Sequence, residues 1–136
     1  LYHYVMQEKS LTHVFNAGAK RMDKIDAHLL VLHEVLGRWD RRGLLDLCPG
    51  ELVTWFLDLL VFDLARLDAE DYGAVVARVK NEFVGHVGVD WAGLPSKPAV
   101  RHAARKLASK SKISILDAAR LYLATRGPRA CIERFV

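Results

Sequence analysis

A chain of 136 residues with 51% hydrophobic side chains is long and apolar enough to bury one core, which excludes a disordered or low-complexity polymer. The net charge of +4 hides an asymmetry: residues 1–96 hold 10 Lys/Arg against 14 Asp/Glu, whereas residues 97–136 hold 10 against 2. A cationic last third on a mildly acidic body points to a polyanionic partner surface, whether lipid headgroups, nucleic acid or an anionic polymer.

In the first dozen residues, LYHYVMQEKSLT, Tyr2, Tyr4 and Met6 alternate with His3, Val5 and Gln7 in the period of a strand. Everything beyond about residue 20 reads as helix, so this strand lacks a sheet partner within the chain. A lone strand cannot satisfy its backbone groups. With no methionine at position 1, the expectation is the tail of a larger protein. No cationic region precedes a hydrophobic run, so no signal peptide is expected.

After Asn16-Ala17-Gly18, Met22, Ile25, Leu29, Leu32 and Leu36 recur at steps of three and four, predicting a helix from about Lys20 to Leu36 that Gly37 ends. Pro49 opens the next helix, roughly Gly50 to Leu67, where its missing N–H costs nothing. That helix is apolar nearly all round, which predicts a central position for Trp55, Phe56, Leu59, Leu60 and Phe62. It is too short for a membrane span and carries Asp58, Asp63 and Arg66.

Asp68 is placed to cap a third helix whose buried stripe is Tyr72, Val75, Val76, Val79 and Phe83. The segment GHVGVDWAGLPSKP then reads as a break between the acidic body and the basic third. Beyond it, Val100, Ala103, Ala104, Leu107 and Ala108 form one apolar helical face. A further helix begins at Ser114, boxed with Asp117, and stops at Gly127-Pro128. The expected fold is all-α, a bundle of five to six helices with one short N-terminal strand. Residues 1–18 are expected to end an absent catalytic domain, residues 19–96 to form the bundle, and residues 97–136 the basic helical part.

Few constellations suggest chemistry. Asp58 and Asp63 lie five apart, about 140° around a helix, and do not converge; Asp63 is expected to pair with Arg66. His28 and His33, with Asp23, Asp26 and Glu34 nearby, lack a metal-binding spacing and read as a solvated face. Cys48 and Cys131 show neither metal nor redox spacing and read as buried thiols of a reduced compartment. The basic helix is the stronger signal. Arg101, Arg105, Lys106, Lys110 and Lys112 are the candidate membrane-surface residues, for docking on anionic lipid, with an ordinary solvated face as the alternative. Aromatic interleaving is missing, which disfavours nucleic acid.

The segment YHYVMQEKSLT resembles the end of the catalytic domain in family 2 glycosyltransferases of bacterial cell-wall, teichoic-acid and capsule synthesis. In that family a tyrosine-rich strand leads into a loop with Ser, an aliphatic residue and Thr or Ser, and then into an apolar helix. Tyr2 and Tyr4 match the tyrosines, Ser10, Leu11 and Thr12 match the loop, and Met22 to Leu36 match the helix. Val5 and Gln7 stand where the family carries arginines, and Lys9 stands where it carries glycine. The resemblance implies that Tyr4, Ser10 and Thr12 border a substrate groove. It also implies that nucleotide-sugar and divalent metal are held upstream, so that this chain has no catalytic residue or cofactor of its own. The implied partner is that upstream domain, and the implied location is cytoplasmic, peripheral on the inner face of the plasma membrane. A free-standing basic helical module binding anionic lipid, nucleic acid or a protein is the alternative.

Overall fold

The computed structural model describes residues 17–135, and these form six α-helices and one short 3-10 turn. They are α1 (Ala17–Arg41), α2 (Pro49–Arg66), α3 (Ala69–His86), α4 (Pro98–Ala108), α5 (Ile115–Arg126) and α6 (Pro128–Phe135), with the 3-10 turn at Trp91–Gly93. The architecture is all-α. The predicted N-terminal strand falls outside the described residues.

Helix α2 is the hub, packing against α1, α4, α5 and the 3-10 turn, while α1 also lies on α3 and α4 on α5. The apolar seams of the sequence face inward. Ile25, Leu29, Leu32 and Leu36 of α1 meet Tyr72, Val75, Val76, Val79 and Phe83 of α3 and Val100, Ala103, Ala104 and Leu107 of α4 in one continuous core. Burying each large aliphatic side chain contributes about 1.5–3 kcal/mol, so this shared core dominates the fold energy.

Three sequence expectations need correction. Helix α1 passes through Gly37 and ends four residues later, at Arg41. Glycine stops a helix when it adopts a left-handed conformation, and Gly43 does so at φ +67°. There the Leu44 N–H reaches the Trp39 carbonyl at 2.8 Å and the Gly43 N–H reaches that of Asp40 at 3.1 Å, a Schellman closure of the last turn.

Helix α2 is wetter than its composition suggests. Phe56, Leu60 and Phe62 are buried and Leu59 partly so, but Trp55 is 37% exposed. It shares an outward stripe with Glu51 and Asp58, spaced at three and four residues.

The segment around Trp91 is more than a break. Trp91 is fully buried and stacks on Phe83 with ring centroids 4.8 Å apart and planes 13° from parallel. Phe56 meets Phe83 edge-on at 5.8 Å. The glycine-rich connection thus supplies the largest core side chain. Side chains from both sides of the 96/97 boundary belong to this core.

Candidate functional surface

The basic third is built on an antiparallel pair, α4 and α5, locked at both ends. At one end Asp117, only 5% exposed, accepts from Lys106 Nζ at 2.6 Å and lies 3.1 Å from His102 Nε2. The same carboxylate takes the Ser114 N–H at 2.9 Å while the Ser114 hydroxyl accepts the Asp117 N–H at 3.1 Å, completing the capping box. Burial by itself pushes the Asp117 carboxyl up, but these donors outweigh it and hold the group well below the usual carboxylate range. At the other end Lys97 Nζ donates to the Ala124 carbonyl at 2.9 Å.

The five cations singled out in the sequence do not share one environment. Arg101 Nη1 donates to the carbonyls of Pro95 at 3.0 Å and Ser96 at 2.7 Å, tying α4 to the preceding loop. Lys106 serves Asp117. Lys112 donates to the Leu64 and Ala65 carbonyls at 3.2 and 2.8 Å, capping the end of α2. Arg105 and Lys110 stay exposed, and neither has an acidic partner among the described residues. Tyr4, Ser10 and Thr12 lie outside the described residues.

Asp58 and Asp63 are engaged in packing contacts rather than paired with each other. Asp58 holds Arg126 through two bonds, at 3.1 Å from Nε and 2.8 Å from Nη2, and accepts the Thr125 hydroxyl at 2.8 Å, joining α2 to α5. Asp63 pairs with Lys24 at 2.7 Å and Arg21 at 3.8 Å on α1, not with Arg66 as expected. Helix α1 brings two cations to that carboxylate, and Arg66 instead lies over the Phe62 ring, 5.8 Å from its centroid.

Two further histidines bridge helices, and a third closes back on its own helix. His33 Nδ1 lies 2.7 Å from Glu82 and His86 Nδ1 lies 3.0 Å from Asp40, both linking α1 to α3, while His28 Nδ1 meets the Lys24 carbonyl at 2.8 Å. No group of three or more His, Cys, Asp or Glu side chains among the described residues is arranged to hold a metal ion. Two clefts flank the exposed stripe of α2. An apolar one of about 300 Å³ is lined by Val35, Trp39, Leu52 and Trp55, and a more polar one of about 360 Å³ by Thr54, Asp58, Ser96, Lys97 and Thr125. Sequence reasoning missed both, because Trp55 read as a core residue of a helix that is apolar nearly all round. No described helix is long and apolar enough to cross a membrane.

Comparison with protein-family models, curated proteins and solved structures finds no match for this chain.

Proposed function

We propose that this chain is the C-terminal accessory region of a family 2 glycosyltransferase of cell-wall polymer or polysaccharide synthesis, without catalytic activity by itself. The observation that carries the reading is the segment Tyr2 to Thr12, with its tyrosine pair and Ser-Leu-Thr loop, running within five residues into helix α1. In this reading the α/β domain that holds nucleotide-sugar and divalent metal precedes Leu1, and Tyr4, Ser10 and Thr12 border its groove. The helical bundle follows as a rigid appendage, peripheral at the inner face of the plasma membrane, where lipid-linked acceptors are presented.

The decisive experiment is to read the genomic frame upstream of Leu1. An open frame encoding a nucleotide-binding α/β domain with an Asp-rich metal motif supports the proposal. A stop codon and ribosome-binding site immediately upstream overturn it. The purified chain, incubated with nucleotide-sugars and Mn²⁺ or Mg²⁺, is expected to release no nucleotide. Turnover abolished by a substitution within this chain would equally overturn the reading. The second reading, a free-standing module that docks through its cationic third, draws on Arg105 and Lys110, which meet no carboxylate among the described residues.

A further inference from the structure

We infer that the outward face of α5, not the basic face of α4, is the surface this protein presents to an anionic lipid bilayer. Leu116, Arg120 and Leu123 follow one another at four and three residues, so they fall within about 60° of one another around the helix. Ala118 and Leu121, on the opposite side, are fully buried. The outward leucines stand in water at 58% and 45% exposure, and Ile115 and Ile132 on α5 and α6 are exposed as well. Isolated apolar side chains on a surface need no explanation, but aliphatic ones aligned on one helix face around a cation do.

Charge selects the occupant. From residue 91 to residue 135 the acidic residues are Asp117 and Glu133. Asp117 is buried against Lys106, and Glu133 lies 3.2 Å from Arg129. Arg120 on this face and Lys110 in the turn leading into α5 are exposed and meet no carboxylate among the described residues, so the potential around the start of α5 is positive. Leucine and isoleucine around uncompensated cations match the boundary between acyl chains and anionic headgroups. A nucleic acid would instead favour aromatic or hydrogen-bonding side chains between the cations. Arg101, Lys106 and Lys112 are withdrawn from this role by their internal hydrogen bonds.

The inference does not depend on the glycosyltransferase reading, since the test uses only this chain. The full chain is co-sedimented with phosphatidylcholine vesicles containing or lacking phosphatidylglycerol, at low and high salt. Binding is expected only with the anionic lipid and is expected to fall with salt. Arg120→Gln should weaken partitioning about fivefold, and Leu116→Ser or Leu123→Ser about tenfold. All three positions are exposed, so circular dichroism should stay that of the parent chain. Arg42→Gln removes an exposed cation from the acidic body and should leave binding unchanged. Binding indifferent to lipid charge would overturn the inference, as would Leu116→Ser and Arg120→Gln variants that bind like the parent. An Arg42→Gln effect as large as that of Arg120→Gln would reduce the attraction to net charge and overturn it too. Tighter binding to duplex DNA than to vesicles would also refute it.

Discussion

Lys112 and Tyr72 meet at the junction of three helices: the ammonium sits 4.7 Å from the centroid of the phenol ring and donates onward to the last carbonyls of α2. The Tyr72 hydroxyl donates to the Ser111 carbonyl at 2.6 Å and accepts the Ile113 N–H at 3.0 Å. One side chain from α3 therefore satisfies a carbonyl and an N–H of the turn between α4 and α5. The neighbouring lysine closes α2 across the same ring.

Removing the hydroxyl with Tyr72→Phe leaves the buried Ile113 N–H without its acceptor. The expected loss is roughly 1–3 kcal/mol in urea unfolding, with little change in the slope of the transition. Burial raises the Tyr72 pKa above its ordinary value, against the Ile113 hydrogen bond that lowers it and with the Asp117 charge that raises it. Because the folded value lies above the unfolded one, this contribution is complete below about pH 10 and is lost as the pH rises further. Tyr72→Phe should flatten that alkaline limb of a stability–pH profile.

Asp117→Asn places an amide among the donors of Lys106 and Ser114. A destabilisation of roughly 2 to 4 kcal/mol at neutral pH is expected, measured by thermal or urea unfolding. The sign of the pH effect is opposite to that of Tyr72. The folded carboxyl titrates below the unfolded one, so its contribution is present above about pH 4 and is lost as the pH falls. The parent chain should therefore lose stability below pH 4 more steeply than the Asn variant.

Gly50 and Gly73 should respond oppositely to alanine. A Cβ at Gly50 lies 2.5 Å from the Leu94 carbonyl oxygen, a backbone atom that cannot swing aside. Gly50→Ala is expected to cost roughly 1–3 kcal/mol despite the gain in helix propensity. A Cβ at Gly73 meets nothing within 4 Å, so Gly73→Ala should stabilise by about 0.5–1 kcal/mol. Melting temperatures of the two variants should fall on either side of the parent value.

Lys110 closes α4 in a left-handed conformation at φ +61°, where a side chain is strained. The Ser111 N–H reaches the Lys106 carbonyl at 2.8 Å and the Lys110 N–H that of Leu107 at 3.1 Å, the same closure that Gly43 gives α1. Lys110→Gly should stabilise the fold by about 1 kcal/mol in denaturant unfolding. On the lipid inference the same change weakens vesicle binding, which separates stability from docking at one position.

Local patterning determined the helical class, the buried stripes of α1, α3 and α4, the Asp68 cap and the Ser114–Asp117 box. Periodicity and capping act within one or two turns, so the residues that decide them are adjacent in the chain. The strand-like start was read from alternation and the roles of Tyr4, Ser10 and Thr12 from a resemblance, and all of these lie outside the described residues. The end of α1 was misplaced because Gly37 and Gly43 look equivalent until the backbone selects which adopts positive φ. The roles of the cations belonged to the tertiary structure. Lys112 finds its acceptor 48 residues earlier, at Leu64, and Asp58 finds its arginine 68 residues later, at Arg126. Such pairings arise when whole helices pack, because a long side chain settles wherever an unsatisfied carbonyl or carboxylate comes within reach. Packing also turned α5 so that Ala118 and Leu121 meet α2 and α4, and that rotation left Leu116, Arg120 and Leu123 in water.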